Sequence, residues 1–309
     1  AGSRGEIGSM GEDVERTAEA GAGTEGAVEV SDLHFVYTGS DGHPIPGCKP
    51  LFKGLDWSVD KGSRILLIGA NGAGKTSLLK IIAGKHMVPA TSLSVLGVPP
   101  FQTTDLTTSG RLAYIGGTWK RDVAFAGYNV PLQGDISAGK MIEGIRGVPP
   151  ARREKLLKVL DINPAWRMHL VSEGQRRRVQ LCVGLLKEFD VLLLDEVTVD
   201  LDVLVRADLM RYLKEESEER HCTIIYATHI FDGLEKWPSH LAFLAKGELD
   251  MCRPAAEYPE LQQGKLVDLV ARWLRSHQEK HGSDVSKKPF EYSMNNGWSS
   301  GRSNASIKL

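Results

Sequence analysis

No run of apolar residues in this chain of 309 approaches the roughly 20 that a membrane-crossing helix needs. No secretory signal is visible either, so a soluble protein is expected. Charge of one sign is also lacking. The 38 basic and 39 acidic residues leave a formal net charge of −1, which gives no basic footprint for a phosphate backbone and argues against direct nucleic-acid binding. Cysteine is scarce, with four in all (Cys48, Cys182, Cys222 and Cys252) and no C-x-x-C spacing. That pattern suits a reducing compartment and argues against a metal cluster. Residues 1–26 contain a single aliphatic side chain larger than valine, Ile7, and cannot bury enough apolar surface to fold, so disorder is expected there. What remains is long enough for one large or two modest domains.

Glycine, by contrast, is plentiful, and one cluster of it is specific. Residues 69–76 read Gly-Ala-Asn-Gly-Ala-Gly-Lys-Thr and directly follow the apolar run Arg64-Ile-Leu-Leu-Ile68. This is the phosphate-binding pattern G-x-x-x-x-G-K-[ST] in the context it requires, a buried strand turning through glycine into a helix. A plain glycine turn is the bland alternative, but the apolar spacing of Leu78, Leu79 and Ile82 before Gly84 continues as a helix should. Backbone N–H groups can then close around the phosphates of a nucleoside triphosphate, Lys75 adds a point charge, and the Thr76 hydroxyl can reach a bridging Mg²⁺. The candidate contacts are Gly69, Asn71, Gly72, Ala73, Gly74, Lys75, Thr76 and Ser77.

A second buried strand, Asp190-Val-Leu-Leu-Leu-Asp195-Glu196, ends in two acids. In the phosphate-loop architecture the first, Asp195, holds Mg²⁺, and the second, Glu196, can orient or deprotonate the attacking water. Upstream stands Val171-Ser-Glu-Gly-Gln175-Arg-Arg-Arg-Val-Gln180, and downstream come Val199-Asp-Leu-Asp202 and Tyr226-Ala-Thr-His229. Ser172 is also a favoured helix cap before the apolar stripe Val179, Cys182 and Leu186, and the exposed N–H groups of such a helix end form an anion site. Arg176, Arg177 and Arg178 on their own are expected to be a solvated basic face without a catalytic role.

Taken in order, these motifs resemble the ATP-binding cassette (ABC) ATPases across residues 28–250. The separations fit as well: 97 residues from Lys75 to Ser172, 21 from Gln175 to Glu196 and 33 from Glu196 to His229. The resemblance implies an α/β phosphate-loop fold of the ABC nucleotide-binding type, with a RecA-like core, an antiparallel β subdomain and a helical subdomain. It implies that Ser172, Gly174 and Gln175 form the signature, that Asp202 closes the D-loop, and that His229 is the switch histidine acting with Glu196 in catalysis. It implies ATP and Mg²⁺ as ligands, with Thr76 and Asp195 holding the metal and Tyr37 stacking on the adenine; a surface strand aromatic is the alternative for Tyr37. The stretches Trp166-Arg-Met-His169, Leu194-Asp-Glu-Val-Thr-Val-Asp-Leu-Asp202 and Tyr226-Ala-Thr-His-Ile-Phe-Asp-Gly233 are similar to the small non-transporter subgroup. That subgroup includes the soluble subfamily I proteins of plants and the yeast member associated with the NOT deadenylase complex. Residues 121–133 and the Asn295-Asn-Gly-Trp298 tail resemble the plant members in particular.

Some positions depart from the family pattern. Transporter cassettes carry a glutamine after the strand matching 112–115, where this chain has Gly116-Gly-Thr-Trp119. Its absence weakens a transporter reading and leaves a Mg²⁺ ligand unassigned, with Gln133 or a water as substitutes. Glu173 replaces the first signature glycine, and Asp200 adds an acid at the expected dimer seam.

The domain reading is a disordered segment at 1–26, an ABC ATPase domain at 27–252 with its helical subdomain at about 111–188, and a last helix and flexible tail at 253–309. Three functions fit. The first is a soluble homodimeric or heterodimeric ATPase, paired with itself or a paralogous ABC protein, that works as a nucleotide-driven switch for unidentified protein partners in the cytoplasm or nucleus. The second is the ATPase subunit of a transporter whose membrane subunits are separate chains. The third is an ATP-binding scaffold without useful hydrolysis.

Overall fold

The structure is a computed structural model that describes residues 26–39, 43–117 and 135–281. The expectations for 1–25, for the stretch containing Gln133, and for the tail beyond 281 lie outside the described residues. Strands β1 (Gly26–Phe35) and β2 (Phe52–Asp60) pair antiparallel, and β4 (Leu93–Val95) joins the other edge of β1. β2 alternates as a half-buried strand must, with Phe52, Leu55, Trp57 and Val59 inside. Gly26 already belongs to β1, one residue inside the stretch expected to be disordered.

The second sheet has six strands: β3 (Arg64–Ile68), β5 (Leu112–Gly116), β6 (Val191–Asp195), β7 (Thr223–Ala227), β8 (His240–Ala245) and β9 (Glu248–Pro254). Their order is β5-β6-β7-β3-β8-β9, parallel throughout except for β9, which returns antiparallel along β8. The parallel strands are continuous apolar runs because both faces are covered. Alternate residues feed two separate cores. Leu66, Ile68, Leu192, Leu194, Ile224 and Tyr226 face one, while Ile65, Leu67, Val191, Leu193, Ile225 and Ala227 face the other.

Helix α1 (Lys75–Ile82) and the three-stranded sheet cover the second face. The first face is covered by α3 (Ala138–Glu143), α4 (Pro150–Val159), α5 (Glu173–Leu185), α6 (Val203–Arg220) and α8 (Leu266–His281), while the short α2 (Asp105–Ser109) and α7 (Pro259–Gln262) complete the connections. The helical region therefore starts after β5 rather than at 111, because β5 pairs in register with β6 along its whole length. Helix α8 runs to His281, well into the 253–309 stretch that the sequence reads as a last helix and a flexible tail. Trp273 and His277 on α8 pack against Phe243 at 5.8 and 6.1 Å, and Trp273 packs against Tyr258 at 5.3 Å, so this helix has an aromatic seat.

A buried ion network ties the helices together. Arg152 on α4 donates from Nη1 to both oxygens of Glu216 on α6, at 2.9 and 2.7 Å, and its other nitrogens donate to the Leu185 and Leu186 carbonyls at 3.0–3.1 Å. Arg220 reaches Glu216 Oε2 at 3.2 Å. Burial alone would raise the Glu216 pKa, but the two arginines outweigh it and hold the pKa below the usual value of 4.5. A depressed carboxylate contributes stability that is complete above pH 4.5 and is lost as pH falls through the lower folded value. Glu216→Met strands a buried Arg152, so urea denaturation at neutral pH should show a loss of about 3–5 kcal/mol. On acidification below pH 4.5 the variant should lose less further stability than the parent.

Candidate functional site

β3 ends at Ile68, and the chain turns through 69–74 into α1. Gly72 and Gly74 take φ of +81° and +105°, a backbone region that a residue with a Cβ enters only at a cost. No side chain caps α1, so the N–H groups of its first turn are available to an anion. Lys75 is buried, and its ammonium donates to the Gly69 and Ala70 carbonyls at 2.7 and 3.1 Å, leaving a third N–H for a phosphate oxygen. Burial lowers its pKa, and the nearby charges of Glu196 and Asp195 oppose that shift.

Thr76 donates from Oγ1 to Asp195 Oδ1 at 3.0 Å, so the phosphate loop and the acid at the end of β6 meet across β7. Ser77 Oγ lies 2.5 Å from the Tyr37 hydroxyl, which seats Tyr37 beside the first turn of α1. The Tyr37 ring packs edge-on against Phe35 at 5.1 Å and against His86 at 5.8 Å.

The second oxygen of Asp195 accepts from the Tyr114 hydroxyl at 3.0 Å. Tyr114 is not opposite Asp195 in the sheet; Gly116 is. The tyrosine lies along β5 over Gly116, where a Cβ would come within 2.5 Å of its hydroxyl and 2.8 Å of the Asp195 Cβ. Burial, reinforced by Asp195, pushes the Tyr114 pKa far above its ordinary value, so it remains a protonated donor. The missing glutamine left the surroundings of Asp195 open in the sequence, and Tyr114 is the donor that the fold brings there. The signal for it was the small Gly116 two residues on.

Glu196 follows with φ of +53°, and its N–H donates to the Ala227 carbonyl at 2.9 Å. His229 Nδ1 stands 2.7 Å from Glu196 Oε2, within ion-pair distance, and that buried oxygen has no hydrogen-bond partner among the described residues. An under-satisfied carboxylate oxygen beside a histidine is suited to accept a proton from water. Tyr226 ties the loop after Glu196 to β7, its hydroxyl lying 2.7 Å from Thr198 Oγ1.

The remaining candidates sit on α5 and the start of α6. Ser172 Oγ accepts from the Gln175 N–H at 3.2 Å while Gln175 Oε1 accepts from the Ser172 N–H at 3.0 Å, so the two close a capping box. The serine hydroxyl keeps its proton to donate. Gly174 lets this turn approach the loop after β6, since a Cβ there would lie 2.9 Å from the Asp200 carbonyl. Asp202 caps α6 through the Leu204 and Val205 N–H groups and accepts from Arg178 at 2.5 Å, so both its oxygens are engaged within its own chain. Those backbone bonds, and then Arg178, hold its pKa below the ordinary value.

Residues 176–178 are not the solvated basic face that the sequence suggests. Arg176 and Arg177 are 6% and 5% exposed, and Arg178 pairs with Asp161 and Asp202. Packing of α5 against α3, α4 and β5 covers that side of the helix.

Known proteins resemble this chain in sequence and in fold. A family profile described as "ABC transporter" matches residues 52–199. The chain is 50% identical to ABC transporter I family member 20 of Arabidopsis thaliana over 300 residues, covering 91% of each. It is 38% identical to CCR4-associated factor 16 of Saccharomyces cerevisiae over 237 residues, covering 72% of this chain and 77% of that one. Its fold matches a dimeric ATP-binding cassette in a post-hydrolysis state bound to ADP and Pi, with a TM-score of 0.57 at 18% identity over 74% of this chain and 98% of the other.

The Tyr114 contact generates a test. Tyr114→Phe removes one donor from Asp195 without opening a cavity, and outer-shell losses of this kind typically weaken metal binding by about 10-fold or more. If Asp195 holds Mg²⁺, melting scans in ATP should then require about 10-fold more Mg²⁺ for half-maximal stabilisation, a shift in Mg²⁺ dependence that a general loss of stability would not produce.

Proposed function

Because this chain belongs to the ABC ATPase family, whose members bind and hydrolyse ATP, we propose that it works as a dimerising, nucleotide-driven switch acting on protein partners. One observation carries the reading. Among the exposed large apolar side chains, Leu170, Val199, Val203 and Leu204 are 75%, 48%, 74% and 77% exposed, and all four flank the signature turn or the loop that ends in Asp202. These two segments touch through Gly174 and through the Arg178–Asp202 pair. Apolar side chains gathered around an uncovered helix end are what a partner surface looks like.

The chain carries one phosphate loop and one signature turn, and, as in the family it belongs to, the signature of one copy would complete the site of the other. Ser172 and Gly174 of one protomer meet the γ-phosphate held by the other, so ATP favours closure and ADP releases it. The partner copy is the same chain or a paralogue. Lys75 and the loop N–H groups bind the phosphates, Tyr37 stacks on the base, and Glu196 takes the proton of the attacking water with His229 beside it. Asp195 and Thr76, two hard oxygen donors 3.0 Å apart, suit Mg²⁺. When bound, that ion would neutralise charge developing on the phosphates. No described helix is long and apolar enough to cross a membrane. The glycines at 116 and 117 stand where transporter cassettes carry a glutamine, and that departure favours protein clients over membrane subunits. A cytoplasmic or nuclear setting goes with that reading.

Lys75→Ala should abolish the rise in melting temperature that ATP gives the parent protein, because it removes the cationic contact of the loop. Glu196→Gln should keep ATP affinity and lose turnover by about 10²–10⁴-fold. Light scattering should show this variant as a dimer with ATP and a monomer with ADP. Adding Ser172→Arg should return it to monomer with ATP binding intact, and a monomer under every condition would refute the switch.

A further inference from the structure

Arg177 lies on α5 two residues beyond the glutamine of the capping box, with its side chain turned inward. Its Nε donates to the Val197 carbonyl at 3.3 Å, Nη2 donates to the Glu196 carbonyl at 3.1 Å, and Nη1 donates to the Gly117 carbonyl and to Gln180 Oε1. One guanidinium thus gathers three backbone carbonyls, all in the turns that leave the carboxyl ends of β5 and β6. Burial lowers its pKa, and Asp200 and then Asp195 oppose the shift. Arginine keeps its charge under such conditions, and its rigid fork suits several acceptors at once.

The carbonyl of Glu196 matters because of the backbone around it. Glu196 adopts φ of +53°, a conformation that persists only where neighbouring structure enforces it. The peptide is held on both sides, its N–H by Ala227 at the end of β7 and its C=O by Arg177. The direction of the carboxylate follows from that backbone conformation.

We propose that Arg177 is a positioning residue for hydrolysis, fixing the turn that aims Glu196 and locking α5 to it. The inference rests on Glu196 being the base. It adds that the signature turn, at the start of α5, and the base of the same protomer move as one body.

The alternative is that Arg177 only satisfies buried carbonyls, and kinetics in two backgrounds separate the roles. Arg177→Lys keeps the charge and loses the fork. It should lower kcat by about 10–100-fold, since a base misplaced by about 1 Å costs on that order, while KM and the Kd for a fluorescent ATP analogue stay within about twofold. In the Glu196→Gln background the same substitution should lower the residual single-turnover rate by less than about threefold, because no base remains to be aimed. Arg177→Gln, which retains an amide donor, should give the same pattern and serves if the lysine form does not fold. Equal losses in both backgrounds, or an unchanged kcat, overturn the proposal alone. Normal turnover in Glu196→Gln itself overturns the assignment of the base and the proposal with it.

Discussion

Three parallel strands that end at one level hold the site together. Asp195 pairs with Ala227 and Ala227 with Leu67, so the last residues of β6 and β7 stand in one row with the penultimate residue of β3, and Gly116 of β5 extends it. Strands lie about 4.8 Å apart, which leaves Asp195 about 10 Å from the strand that carries the phosphate loop. The Thr76–Asp195 hydrogen bond closes that interval because α1 crosses back over the sheet. The intervening strand is not idle: its final carbonyl, on Ala227, holds the N–H of Glu196. Shifting β7 by one residue would turn its side chains to opposite faces and undo both contacts.

Helix α5 is fastened at both ends by buried arginines. Near its beginning Arg177 gathers the turns after β5 and β6, and at its end Arg152 gathers the Leu185 and Leu186 carbonyls that the last turn leaves without intrahelical partners. A chain with almost no net charge therefore depends on charges placed inside. The two guanidiniums are tolerated for different reasons. Arg152 is neutralised directly by Glu216, whereas Arg177 has carbonyl dipoles at contact distance and carboxylates farther away.

Much of the site was legible in the sequence because its parts are short and contiguous. The phosphate loop with its strand and helix, the paired acids at the end of β6 and the serine cap of α5 are each written within about twenty residues or fewer, at a scale where local propensity and pattern decide the outcome. What the sequence did not disclose lies in contacts between distant segments. Tyr114 reaches Asp195 diagonally, from β5 to the neighbouring β6, which depends on a missing Cβ at Gly116. Arg152 and Glu216 are 64 residues apart. Three consecutive arginines look like a solvated face in any local window, and only the packing of α5 shows that two of them are inside. The length of α8 was hidden for the same reason, since its seat on Phe243 comes from another part of the chain.

The left-handed backbone at Glu196 has a consequence for how this protein balances durability against activity. A side chain forced into that region costs about 1–2 kcal/mol, and glycine would occupy the same position at ease. Glu196 is therefore held there at a cost to durability, one that Asp32, Leu96, Asp161, His221 and Lys246 also bear in the same backbone region. If Glu196 is the base, as proposed above, part of the fold's stability is spent on the direction in which one carboxylate points.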